Sequence, residues 1–243
     1  MNQDTHYKLL DMLEYDELDI LKRMGYTWND PYDIIYKFED ALSEYTKAPY
    51  VVTTDCCTHA MELCFRWLAY NNQMPAQVTI PEHTYLSVPM MLAKLDIKFN
   101  FTQNNWLGEY QLSGSPIWDS ARLLAEGMYK LPGYYQCLSF GIGKPLTIGR
   151  GGAILLDSKE AYEWLSRARS DGRDLKIKPW NNQTFDFIGY HYNMTVEQAA
   201  KGLIMLDTYE TNFDFFEDPM LLYPNLSECV GEINDHTDTQ RMG

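Results

Sequence analysis

Ser139-Phe140-Gly141-Ile142-Gly143-Lys144-Pro145-Leu146-Thr147-Ile148-Gly149-Arg150-Gly151-Gly152 is the stretch that decides how this chain is read. One lysine sits in a bed of glycines. The runs on either side, Tyr135 to Phe140 and Gly152 to Leu156, are apolar and read as strands. Pro145 biases Lys144 away from the α region, so the lysine is displayed from extended backbone. A lysine held near apolar walls has a lowered pKa and becomes an amine nucleophile, the requirement for a Schiff base. An ordinary loop lysine fits the same spacing, and the loop alone leaves both readings open.

Working upstream, strands and helices alternate. Tyr50 to Thr54 is a short β-branched strand, preceded by a helix that Asp30-Pro31 starts and Ala48-Pro49 stops. Ala60, Leu63, Cys64, Trp67 and Leu68 keep helical spacing. Val78 to Pro81, Ile97 to Phe101 and Ser115 to Trp118 read as further strands, with a helix over Tyr85 to Leu95. Downstream, Glu160 to Arg169 reads as a helix, Asp174 to Tyr192 as a long loop, and Thr195 as the N-cap of a helix carrying Val196, Ala199, Ala200 and Leu203. The alternation predicts an α/β fold with a mainly parallel sheet between helices. Ligands bind such sheets at the carboxyl ends of the strands, where the polar clusters of this sequence fall.

The chain has 243 residues, enough for one large domain or two small ones, and no evident internal repeat. Its net charge of −14 disfavours phosphate backbones and anionic lipid, so neither a nucleic-acid nor a membrane-surface role is expected. No apolar run approaches the ~20 residues of a membrane span, and Met1 to His6 is too polar for a secretory signal. The 5 cysteines are odd in number and lack zinc spacing, which predicts a cytoplasmic protein with reduced thiols and no metal.

The glycine loop resembles the lysine motif of the DegT/DnrJ/StrS-type family of pyridoxal-phosphate-dependent (PLP-dependent) nucleotide-sugar aminotransferases, Ser-Phe-x-x-x-Lys-x-x-x-x-Gly-x-Gly-Gly. Four further segments resemble the family in order. They are Val52 to Leu63, with its strand and helix start, and Ile80-Pro81-Glu82-His83-Thr84-Tyr85. Trp118-Asp119-Ser120-Ala121 follows, and then Tyr190-His191-Tyr192-Asn193-Met194-Thr195 running into Gln198-Ala199-Ala200. The resemblance spans roughly Asp33 to Leu206 and implies the large domain of a fold-type-I PLP aminotransferase.

It also implies roles. Lys144 forms the link to the cofactor aldehyde and shuttles the proton; Asp119 pairs with the pyridine nitrogen. Tyr85 stacks on the ring. Cys57, Thr58 and Ser139 hold the phosphate, and Asn193 reaches the phosphate of the neighbouring subunit, so a homodimer with shared sites is implied. Each residue has a plainer alternative: a cap for a helix from Ala121 in the case of Asp119, an N-cap for Thr58, a loop hydrogen bond for Asn193, and core packing for Tyr85. His83 and His191 lie in site-forming segments and read as hydrogen-bonding side chains.

The sequence departs from the family at Cys56-Cys57-Thr58, where Ser-Gly-Thr is usual, at Arg150 and at Val196. Arg122 stands where a glutamine or histidine approaches the cofactor's phenolic oxygen. An arginine there favours the phenolate or reaches a substrate anion. We expect residues 1–30 to form an N-terminal helical segment, 31–215 the PLP-binding domain, and 216–243 an acidic C-terminal tail; the family's closing C-terminal domain is expected to be missing. The implied activity moves an amino group from glutamate or glutamine to a keto-sugar on a nucleotide. The alternatives are a non-catalytic PLP-fold binding or scaffold protein and a PLP-dependent sugar dehydratase. Relatives of the dehydratase kind replace the lysine by histidine.

Overall fold

The computed structural model describes residues 16–130, 132–177, 180–211 and 218–229. Helix α1 (Asp16–Arg23) has Asp16, Glu17 and Asp19 in its first turn and Lys22 and Arg23 in its last, matching the helix dipole at both ends. It falls within the N-terminal segment expected to be helical, of which residues 1–15 lie outside the described residues. Helix α2 (Asp33–Thr46) starts two residues later than Asp30 as N-cap and Pro31 as first helical residue would give, with Tyr32 at the cap position and no side-chain cap bond: Asp30 Oδ1 accepts from Tyr32 N–H at 2.9 Å in the turn before it, and Asp33 Oδ2 accepts from Asn29 and Asp30 N–H at 3.0 Å.

Strand β1 (Tyr50–Thr54) leads into α3 (Cys57–Tyr70), then β2 (Val78–Pro81), α4 (Ser87–Lys94) and β3 (Phe99–Thr102). Next come β4 (Tyr110–Gln111), β5 (Ile117–Asp119), β6 (Tyr135–Ser139), β7 (Gly152–Leu156), α5 (Lys159–Ala168), α6 (Val196–Asp207) and α7 (Pro219–Leu222). Helix α6 starts on a reciprocal cap: Thr195 Oγ1 accepts from Gln198 N–H at 3.2 Å, and Gln198 Oε1 accepts from Thr195 N–H at 3.1 Å.

The central sheet has the order β1-β7-β6-β5-β4. Its strands alternate faces. Val52, Cys137, Ile154 and Leu156 pack with α3, α4 and α5, whereas Val51, Leu138, Ala153 and Leu155 pack with α1, α2 and α6. The sheet is therefore buried between two helical layers.

The expected mainly parallel sheet is corrected here. Only β5–β6 is parallel in the five-stranded sheet; β1–β7, β7–β6 and β4–β5 are antiparallel. A separate parallel pair, β2–β3, meets this sheet through a bridge between Thr79 and Ser113. The physical reason lies in the connections. A parallel neighbour needs a crossover, normally a helix. The loop from β6 to β7 holds no helix and doubles back, with a bridge between Gly141 and Gly149, and residues 112–116 turn β4 directly into β5. No helix among the described residues is long and apolar enough to cross a membrane.

Candidate active site

A cavity of about 760 Å³ opens at the strand ends. Its floor is the start of α3. Cys56 caps this helix in extended conformation, its Sγ accepting from His59 N–H at 3.5 Å, and the first-turn residues Cys57 and Thr58 line the cavity. The N-terminus of a 14-residue helix offers amide donors and the positive dipole end, a fit for an anion. Gly152 makes the placement feasible: a Cβ there would stand 2.5 Å from both Cys56 C and Cys57 N, so the first residue of β7 touches the helix backbone directly. Thr58 Oγ1 lies 2.7 Å from Ser87 Oγ, which also lines the cavity.

The lysine loop forms the next wall. Phe140, Leu146 and Ile148 are buried in the core beneath it, and Phe140 O accepts from the N–H groups of Ile148 and Gly149 at 3.0 Å. Thr147 Oγ1 donates to Lys144 O at 2.6 Å. The loop is thus pinned at both ends, and Lys144 is presented into the cavity beside Ser139. Burial lowers the pKa of the Lys144 amine, opposed by the charge of Asp119 and helped by that of Arg122.

Asp119 ends β5 and is 6% exposed. Its Oδ2 accepts from Tyr110 OH and its Oδ1 from Ala121 N–H, both at 3.0 Å. Tyr110 spends its one proton on Asp119, so Thr84 Oγ1, 2.6 Å away, donates to the tyrosine. Burial raises the Asp119 carboxyl above the ordinary range, and the opposing charge of Lys144 does not offset it. Residues 120–130 form turns, so the helix that Asp119 was expected to cap as an alternative role is not there.

The structure thus brings Cys57, Thr58, Tyr85, Asp119, Arg122, Ser139 and Lys144 to one cavity. Tyr85 is 60% exposed, a ring face open to a planar ligand rather than one packed in the core. Asn193 is not among the lining residues; its Oδ1 is buried without a hydrogen-bond partner among the described residues. His83 and His191 do not line the cavity either: His83 Nδ1 lies 2.8 Å from Tyr223 O, and His191 Nδ1 lies 3.1 Å from Asp171 Oδ2.

Sequence reading missed Tyr110, Ser87, Trp106 and Tyr223. Tyr223 had one available signal. Asp218-Pro219 repeats the Asp30-Pro31 helix start, and Asp218 Oδ1 does accept from Met220 N–H at 2.9 Å. Residues 218–229, expected within an acidic tail, are folded: Leu226 is 2% exposed and Tyr223 lines the cavity. Residues 230–243 of that stretch lie outside the described residues.

Beside the site, Asp55 binds His59 Nδ1 at 2.6 Å and Arg150 Nη2 at 2.9 Å, and the His59 ring stacks on Tyr192 at 3.7 Å. Desolvation would lower the His59 pKa, but the bond to Asp55 outweighs it and pushes the pKa up to about 9. With Cys56, these residues have ligand atoms within 4.8 Å of one another, yet Asp55 is already committed to two cations.

Comparison with solved structures finds similar folds at low identity. AtS13 from Actinomadura melliaura is 19% identical with a TM-score of 0.62, over 80% of this chain and 64% of that one. The PMP-form of Spr1654 from Streptococcus pneumoniae, assigned as a sugar aminotransferase, is 18% identical with a TM-score of 0.60, over 80% and 63%. A point mutant of the GDP-4-keto-6-deoxymannose-3-dehydratase ColD with bound GDP-perosamine is 11% identical with a TM-score of 0.58, over 73% and 61%. The chain spans less than two thirds of the length of these proteins. Comparison with curated proteins by sequence finds no match. The model of the DegT/DnrJ/EryC1/StrS aminotransferase family matches residues 15–103 and 132–240, and the chain belongs to that family.

Proposed function

We propose that the chain is a PLP-dependent aminotransferase that moves an amino group from glutamate or glutamine to a nucleotide-linked keto-sugar. The observation that carries this reading is the joint presence of Lys144, Asp119 and the start of α3 around one cavity. The donor set fits the cofactor. The amides at Cys57 and Thr58, with the Thr58 and Ser139 hydroxyls, suit its phosphate; Asp119 suits its ring nitrogen; Tyr85 offers a ring face. Arg122 lines the same cavity, where the resemblance would set it toward the phenolic oxygen. When bound, the cofactor supplies an electron sink that stabilises a carbanion next to nitrogen.

The protein's own work is to hold and move protons. Lys144, its amine pKa lowered by burial, is the nucleophile. The same Nζ then takes the proton from the substrate carbon and returns it one position over. Asp119, oriented by Tyr110 and Ala121 N–H, keeps a proton on the ring nitrogen. We read the protein as a homodimer in which Asn193, which lies outside this cavity, serves the phosphate of a second copy of the chain, as the family resemblance implies. Cys64 and Cys137, buried thiols that share a hydrogen bond with sulfurs 3.9 Å apart, suit the cytoplasm.

ColD is a dehydratase on a similar fold. Lys144, in place of the histidine typical of that chemistry, favours amino transfer. The test is reconstitution with pyridoxal phosphate, borohydride reduction and peptide mapping. The pyridoxyl label is expected on Lys144; its appearance on another lysine would remove the assignment.

A further inference from the structure

Cys56 does more than cap α3. Among the described residues, Asp55, Cys56 and His59 are the set of histidine, cysteine and acidic side chains whose ligand atoms converge, one atom from each lying within 4.8 Å of the other two. The local backbone brings them together. Strand β1 ends at Thr54, Cys56 holds the extended cap position, and His59 stands in the first turn of α3. All three residues are half-buried, so an ion can reach them from solvent. Cysteine spacing does not reveal the set, because two of its three members are not cysteines.

Each donor is already held by a second group. Cys56 Sγ accepts from His59 N–H at 3.5 Å, an amide of the kind that favours a thiolate at a helix start. The His59 ring lies against Tyr192, with ring centres 3.7 Å apart and planes 9° apart, which covers one face and leaves the edge toward Asp55. Asp55 is steered twice: its N–H donates to Tyr192 O at 2.8 Å, and Arg150 Nη2 donates to its Oδ2 at 2.9 Å. Outer partners of this kind orient the ligands of a metal site. Arg150 occupies Oδ2 from a largely exposed side chain, while Oδ1 shares one proton with His59 Nδ1 at 2.6 Å. That proton stands where an ion can stand. Nitrogen and oxygen ligands each about 2.0–2.2 Å from an ion need a separation on the order of 3.3 Å, so the pair has to widen by less than roughly 1 Å.

The donor chemistry selects the ion. A thiolate, an imidazole and one carboxylate oxygen are too soft and too few for magnesium or calcium, and they suit a four-coordinate divalent transition ion. Three protein ligands leave one position open for water. Cys56 lines the cavity, whereas Asp55 and His59 do not, which puts the ion at the cavity's rim.

We propose that Asp55, Cys56 and His59 form a Zn²⁺ site with one open position, beside the first turn of α3. Binding exchanges the Cys56 thiol proton and the proton shared by His59 and Asp55 for the ion, and Arg150 stays on Oδ2. The site is independent of the aminotransferase reading, and either can fail without the other.

The test is a Co²⁺ titration of the reduced protein after chelator treatment, followed by absorbance against the metal-free protein, with Zn²⁺ affinity read by displacement of the cobalt. One Co²⁺ per chain is expected, with the visible bands of a four-coordinate ion and a near-ultraviolet thiolate band, both lost on adding Zn²⁺. Cys56→Ser keeps a cap for α3 and should abolish the thiolate band. It should also weaken Zn²⁺ by more than the roughly 10- to 100-fold that loss of an outer partner costs. His59→Gln and Asp55→Asn should weaken Zn²⁺ comparably. Cys229→Ser removes the exposed cysteine and should leave the spectrum unchanged. A cobalt spectrum without a thiolate band, a thiolate band that survives Cys56→Ser or vanishes in Cys229→Ser, or a Zn²⁺ affinity indifferent to His59→Gln and Asp55→Asn overturns the proposal.

Discussion

Glu39 and Asp119 are both buried carboxylates near a buried cation, yet their surroundings differ in one respect. Glu39 is in direct contact with its cation. Its Oε1 accepts from Thr53 N–H and Thr53 Oγ1, both at 2.8 Å, and from Arg169 Nη1, which also donates to Thr53 O at 2.6 Å. Arg169 is 1% exposed at the end of α5, so this cluster ties α2, β1 and α5 together. Asp119 has two donors of its own but shares its cation across an open cavity. Burial there wins over attraction, raising the acid and lowering the amine. The comparison teaches that a pair in direct contact holds a fold together, whereas a pair left apart in a cavity stores unmet solvation that a ligand can supply.

The strongest way to break this comparison is to remove each cation. Arg169→Met leaves Glu39 charged and alone, and should cost about 3–5 kcal/mol in urea unfolding. Lys144→Met removes a penalised amine, and should leave stability equal or higher while abolishing the borohydride-stable label. Similar losses in the two variants would erase the distinction.

Asp119→Asn sharpens it. The electron sink should weaken by roughly 1.5–3 kcal/mol, read as a 10- to 150-fold slower half-reaction with glutamate. Stability should move the other way. A carboxyl raised by burial contributes fully in acid, below its unfolded pKa, and loses that contribution as pH rises through its folded one. The asparagine variant should therefore gain on the wild type from acid toward neutral pH in denaturation curves. A constant difference across that range would count against an ionised, desolvated Asp119.

His59 is the intermediate case, a half-buried pair beside the site. Its pKa rises from 6.5 to about 9, so its contribution is complete below 6.5 and is lost as pH climbs through 9. The Asp55 carboxyl runs opposite: burial raises it, but His59 and Arg150 hold it below the ordinary range, so its contribution fades in acid. Water screens the pair, and His59→Gln should cost about 1 kcal/mol near neutrality, shrinking at alkaline pH. An effect as small, but independent of pH, is expected far from any charge pair. Thr195→Ala removes half of a reciprocal cap and should cost about 1 kcal/mol in thermal unfolding, with no change in cofactor affinity.

What was legible in the sequence was local. Thr195 and Gln198, three residues apart, announce their cap. Asp30-Pro31 announces α2, and the glycines around Lys144 announce a displayed lysine. The ordered family segments brought Thr58, Asp119 and Ser139 to the same place before any geometry was known. Contacts that depend on distant chain were not legible. Nothing near Tyr110 shows that its hydroxyl serves Asp119, because β4 is two residues long and its partner strand is met only in the fold. The direction of β7 was also hidden. Helical patterns between most strands imply crossovers, and the loop that doubles back looks from its residues like any glycine-rich connection. Tyr223 lay in a stretch whose acidity outweighed its apolar Leu221-Leu222-Tyr223 core.

Residues 218–229 form a strap along the cavity, and its manner of attachment bears on how this site can change over generations. Leu226 is held by Glu82 through main-chain groups at both ends, and Tyr223 offers its carbonyl rather than its side chain to His83. Main-chain fastening is indifferent to the side chain carried at the fastened position. Exchange at Leu222 and Tyr223 therefore leaves these main-chain bonds in place, whereas a Cβ at Gly152 would stand 2.5 Å from the α3 backbone. Change over generations should accordingly collect at positions 222 and 223 and spare Gly152.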